Sequence, residues 1–229
     1  EVADLNTARI SVGSAGTSNT AALCFGGTPG NKDENELWNG TAWTEVGDLN
    51  TARRLLAGTG TSTSAIAFGG TTGDVQDIAE SWNGTSWTEV ADLNQQRRQL
   101  AGAGASNTSA LAIGGRNAPP DVQAVTESWN GTAWTELNDL NTARNYLAGT
   151  GIVTSALAFG GKSPVVAVTE DWNGTNWVEV ADLSTARNQL AGAGTATSTS
   201  AFGGFITAVS TATEEWTIPS HTAKTLDTD

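Results

Sequence analysis

A single cysteine, Cys24, rules out a disulfide within the chain. One histidine, His221, and one tyrosine, Tyr146, leave few of the side chains from which metal sites and nucleophilic catalysts are built. No metal and no cofactor are expected. Cys24 lies in the run AALCFGG, which matches SAIAFGG and SALAFGG where Ala67 and Ala158 take its place, so a small buried hydrophobe is expected rather than a reactive thiol. A Ser-His-Asp triad would need His221, which belongs to a C-terminal tail. No apolar run is long enough for a transmembrane helix. Methionine is absent and no signal peptide is legible, so a processed product or a piece of a larger protein is expected. Basic residues are scarce, 11 against 24 acidic ones, and the net charge of −13 repels phosphate backbones and anionic lipid surfaces. Nucleic acid and membrane insertion are therefore not expected.

Apolar content is only 38% and Gly contributes 27 residues, a mixture that by itself points towards disorder. Nine tryptophans at regular positions point the other way, because they supply large buried area at fixed intervals. Arg9, Arg53, Arg97, Arg144 and Arg187 recur at spacings of about 43–47 residues, each after an Asp-Leu pair. Tryptophan pairs recur in step: Trp38 with Trp43, Trp82 with Trp87, Trp129 with Trp134, and Trp172 with Trp177. The last copy has Trp216 alone. Every copy also carries a double glycine, from Gly26-Gly27 to Gly203-Gly204. Each unit reads as four short strands, for example LAGTGTS, SAIAFGG, a third ending in AESWNGT, and SWTEVADL. The Asn-Gly between the last two predicts a hairpin with a type I′ turn, and helical periodicity is absent.

Five copies of four strands at this period predict an all-β fold, a five-bladed β-propeller of four-stranded antiparallel blades. The pattern R-x-x-L-A-G, A-F-G-G and E-S-W-N-G-T-x-W resembles the kelch repeat over nearly the whole chain, in a form similar to bacterial or phage kelch-like arrays. It departs from kelch in having Trp at 38, 82, 129, 172 and 216 where kelch has Tyr. The resemblance implies the fold and says almost nothing about function. Repeats are expected near 6–49, 50–93, 94–140, 141–183 and 184–216, with residues 217–229 as a tail. Since Glu1-Val2-Ala3-Asp4-Leu5 matches the end of a fourth strand, the ring is expected to be closed by this N-terminal strand, which joins blade five. Residues 223–227 are the alternative closing strand.

The tryptophan pairs and the five repeated arginines are expected to be structural. The Trp residues would form interblade core, and each Arg would make an ion pair or carbonyl contacts, with an Asp of its copy as the candidate partner. The sequon-like Asn-Gly-Thr at Asn39, Asn83, Asn130 and Asn173 is accounted for by its turn. What varies between copies is the segment after each double glycine, and in repeat proteins such variation marks one face. Arg116, Asn117, Pro119, Pro120, Lys162, Pro164 and Phe205 are the contact candidates, with drift in solvated loops as the competing reading. No catalytic residue is assigned. The expected function is a non-enzymatic binding or structural module of a larger secreted, surface or virion protein, recognising a protein neighbour or a glycan. A homo-oligomer or larger assembly is compatible with it. The alternative is a glycosidase-like, carbohydrate-active enzyme, which would need one acid pair from Asp33, Glu34, Asp74, Asp77 or Asp121.

Overall fold

The computed structural model describes residues 2–217. It is a five-bladed β-propeller. Blade one holds β1 (Gly13–Ser18), β2 (Ala21–Phe25), β3 (Asn35–Trp38) and β4 (Trp43–Val46). Blade two holds β5 (Ala57–Thr61), β6 (Ser64–Phe68), β7 (Ala79–Trp82) and β8 (Trp87–Val90). Blade three holds β9 (Ala101–Ser106), β10 (Ser109–Ile113), β11 (Thr126–Trp129) and β12 (Trp134–Glu136). Blade four holds β13 (Ala148–Ile152), β14 (Ser155–Phe159), β15 (Thr169–Trp172) and β16 (Trp177–Glu179). Blade five holds β17 (Ala191–Thr195), β18 (Ser198–Phe202) and β19 (Thr213–Thr217). Within each blade the strands pair antiparallel in sequence order.

The first strand of each blade is innermost and packs on its neighbours, β1 on β5, β5 on β9, β9 on β13 and β13 on β17. Small residues make this approach feasible. A Cβ on Gly58 would lie 2.3 Å from Phe25 and 3.0 Å from the Ser14 carbonyl. The double glycines fix the junctions between blades. Gly69 and Gly70 take φ of 65° and 106°, a region costly for other residues, and the Gly70 N–H donates to the Arg97 carbonyl at 2.9 Å. Gly27, Gly115 and Gly161 donate in the same way to Arg53, Arg144 and Arg187.

Tryptophans fill the space between blades. Within each hairpin the two indole rings lie 5.3–5.5 Å apart, and Trp87 meets Phe25 of the preceding blade edge-on at 4.9 Å. Trp134 meets Phe68 in the same manner at 5.1 Å. The connecting turns differ from the type I′ expectation. Only the glycine takes positive φ, and the Asn side chain accepts from the two N–H groups that follow, as Asn83 does from Thr85 and Ser86 at 2.9 and 3.0 Å.

Under these layers lies an ion pair in every blade, buried in blades one to four and with its carboxylate partly exposed in blade five. Arg9, Arg53, Arg97, Arg144 and Arg187 pair with Glu36, Glu80, Glu127, Glu170 and Glu214 of the third strands. Burial lowers the pKa of Arg53, Arg97 and Arg144 below the ordinary guanidinium value, and the facing carboxylates oppose that shift. The partner is Glu rather than the Asp of the Asp-Leu pair. Asp48, Asp92 and Asp182 instead accept from the backbone N–H that opens the third strand.

The closing strand is not where the sequence suggested. Blade five has three strands among the described residues, and residues 2–9 form no strand. Val2 is accordingly 71% exposed. Asn6 instead binds Glu36 and the Trp43 carbonyl, as Asn50 binds Glu80 and the Trp87 carbonyl, which ties this segment to blade one. A seam therefore lies between blades five and one. Phe202 is 41% exposed there, whereas its counterparts Phe25, Phe68 and Phe159 are buried. The alternative closing strand, residues 223–227, lies outside the described residues.

Two substitutions test this core. Glu127→Ala strands the Arg97 guanidinium and is expected to cost about 3–5 kcal/mol in urea denaturation, with much of the loss recovered in the Arg97→Met, Glu127→Leu double variant. Trp87→Ala opens a cavity against Phe25 and is expected to cost about 3–5 kcal/mol by the same measurement. A well-folded Trp87→Ala protein of unchanged stability would remove the indole from the core.

Candidate functional site

The residue after each buried arginine forms a short antiparallel bridge with the residue after the double glycine. The bridges are Ile10 with Thr28, Arg54 with Thr71, Arg98 with Arg116, Asn145 with Lys162, and Asn188 with Phe205. These ten positions line one mouth of the propeller, where the innermost strands begin. One residue further on, Ser11, Leu55, Gln99, Tyr146 and Gln189 all take φ between 54° and 59°. Their backbones are linked from blade to blade. Leu55 N–H donates to Ser11 O, Gln99 to Leu55, Tyr146 to Gln99 and Gln189 to Tyr146, at 2.8–2.9 Å. A continuous backbone thread thus holds the side chains of this mouth in register.

The structure brings Arg116, Lys162 and Phe205 to one repeat position, with Asn117 adjacent. Asn117 accepts from the Gln96 side chain at 3.1 Å. Pro119, Pro120 and Pro164 are exposed further along the loops. Four residues at this mouth were not singled out from the sequence: Arg54, Arg98, Gln99 and Asn145. Their signal was present, because the position after each repeated Arg reads Ile, Arg, Arg, Asn and Asn, and the next reads Ser, Leu, Gln, Tyr and Gln, directly behind a constant Arg.

The electrostatics of this rim run against those of the molecule. The chain carries a net −13, yet Arg54, Arg98, Arg116 and Lys162 gather here, and among the described residues none has a carboxylate within 4.0 Å. Arg54 donates to the Asn31 side chain at 2.7 Å. Arg98 and Arg116 exchange both backbone hydrogen bonds at 2.9 Å, so their side chains leave neighbouring points, and the Nε of each is buried without a partner among the described residues. Beside them Asn145 donates to Gln99 at 2.8 Å and Gln99 donates to the Tyr146 hydroxyl at 2.7 Å. The Asn145 Oδ1 is left buried without a donor. Unused guanidinium donors next to an unused amide acceptor can take a ligand that bears both an anionic group and hydroxyls.

No cluster of three His, Cys, Asp or Glu forms among the described residues, and His221 lies outside them. The third-strand glutamates are engaged with the buried arginines. Asp33 and Asp77 occupy equivalent places in different blades, their carbonyls accepting from Leu49 and Leu93 at 3.0 Å. Cys24 is buried, and desolvation, partly offset by Arg9, pushes its thiol from 9.0 up to about 11.

Comparison with known proteins places only the fold. No protein-family model and no curated protein matches the chain. Among solved structures it is similar to YjhT, with a TM-score of 0.78 and 12% identity over 94% of this chain and 83% of that one. At that identity the likeness is one of architecture.

The thiol gives a direct check. Since its folded pKa lies above its unfolded one, the buried thiol favours the folded state below pH 9.0, and this contribution is lost as pH rises through about 11. Cys24 should resist iodoacetamide at pH 8 in the native protein and react at once in urea. Rapid native alkylation would show an exposed thiolate.

Proposed function

We propose that this chain is a kelch-like binding module without chemistry of its own, and that the polar mouth around Arg98 and Arg116 recognises an acidic glycan. One observation carries this reading: four cations without carboxylate partners, collected on one rim of a strongly acidic molecule. Guanidinium groups are suited to carboxylate and sulfate, since they offer paired donors in a fixed plane. The Asn145 acceptor and the Tyr146 and Phe205 rings supply what a sugar ring needs beyond charge, a hydroxyl partner and apolar faces. Long-range repulsion from the rest of the surface disfavours anions that cannot reach the rim, which confers selectivity. An extracellular, cell-surface or virion setting accords with such a ligand.

The scaffold suggests the variants. Arg98→Asn and Arg116→Thr install the residues that Asn145 and Thr71 already present at the same repeat positions, so folding is expected to persist. Binding of uronic-acid or sulfated oligosaccharides on a glycan array should fall by about tenfold for each change, as expected for a lost charge-assisted hydrogen bond. Affinity should also fall with added salt. Equal binding of neutral glycans, or binding unaffected by both substitutions, would place recognition elsewhere. Selective binding of acidic peptides would replace the glycan with a protein partner, and turnover of a glycoside at an enzymatic rate would replace the module with an enzyme.

A further inference from the structure

The fourth strand of a blade carries a Trp that wedges against the preceding blade. Trp87 and Trp134 rest on Phe25 and Phe68, and the Trp177 indole N–H donates to the Thr126 hydroxyl at 3.0 Å. Blade five has no fourth strand among the described residues, and the place its Trp would take is an open cleft between blades four and five. Leu157, Phe159, Thr169, Leu183 and Trp216 line it. Thr169 holds in blade four the repeat position that Thr126 holds in blade three. It is buried, and its Oγ1 has no hydrogen-bond partner among the described residues. Trp216 is only half-buried, while Trp38, Trp82, Trp129 and Trp172 are buried under their fourth strands. The cleft thus has an apolar floor, an unused acceptor where an indole N–H would arrive, and beside it the outer edge of β19, unpaired among the described residues.

We propose that this cleft and edge form a strand-addition site for a tryptophan-bearing β-strand of the fourth-strand type, presented by a partner polypeptide. Such a strand runs antiparallel to β19 with its Trp opposite Trp216, as Trp87 lies opposite Trp82. Its indole N–H donates to Thr169 Oγ1. Its Asp accepts from the Thr213 N–H, as Asp92 accepts from Ala79 at 3.2 Å. Main-chain pairing supplies affinity and the indole slot supplies selectivity. Residues 2–5 carry no Trp and are unpaired, residues 218–229 contain no Trp, and the fourth strands of blades one to four are already paired within their blades.

The probe is a capped peptide, Trp-Thr-Glu-Val-Ala-Asp-Leu, which copies residues 87–93. Titrated calorimetrically into the full chain, it should bind one to one and slow amide exchange at residues 213–217. The same peptide with Trp replaced by Ala should bind at least about tenfold more weakly. Thr169→Val, which keeps shape and removes the acceptor, should weaken the Trp peptide severalfold and leave the circular dichroism spectrum unchanged. Absence of binding, or equal binding of the Ala peptide, overturns the proposal. Slow exchange of residues 213–217 without peptide also overturns it, assigning the edge to this chain's own residues in a monomer or to a second copy in a dimer.

Discussion

Everything in this molecule hangs on the arginine buried once in each blade. Its guanidinium meets a third-strand carboxylate and reaches carbonyls of the same blade, as Arg9 reaches Cys24, Gly26 and Glu34. Its own backbone carbonyl, in blades two to five, receives the glycine N–H of the blade before. One residue therefore ties strand three to the entry of strand one and also joins neighbouring blades. Such a pair is not a strong source of net stability, since desolvation offsets much of the attraction. What it supplies is geometry: a charged group with several fixed acceptors has one low-energy place to be, and the chain entering each blade is held there.

The fold was legible because its determinants recur. The double glycines mark a backbone conformation that other residues adopt at a cost, and the paired tryptophans mark the same hairpin in four of the five copies. The arginine's partner was misread because two acids per copy compete for the role. Proximity in sequence favoured the Asp of Asp-Leu, whereas strand pairing brings in the Glu two residues before Trp, a spacing that holds in all five copies. The closing strand was misread for a related reason. The polar end of a fourth strand matches residues 1–5, but a match of five residues does not decide pairing, and Asn6 next to it is held by Glu36 and the Trp43 carbonyl of blade one.

Half of the rim was legible and half was not. Variation in the segments after the double glycines drew attention to Arg116, Lys162 and Phe205. The facing positions, Arg54, Arg98 and Asn145, follow directly on the most constant residue of the repeat and were passed over with it. The bridges that join the two sets exist only in three dimensions, and so does the thread of left-handed residues beneath them.

That thread separates two tasks that most binding sites combine. The buried pair, the glycines and the indoles recur in each blade, and the two rim positions per copy change identity while their backbone bridge is kept. Ile10 with Thr28, Arg54 with Thr71, Arg98 with Arg116, Asn145 with Lys162 and Asn188 with Phe205 amount to five independent letters written around one circle. A change of letter leaves the spelling of the others intact. Specificity in such an object can drift by single substitutions, copy by copy, while the backbone that displays it stays where it is.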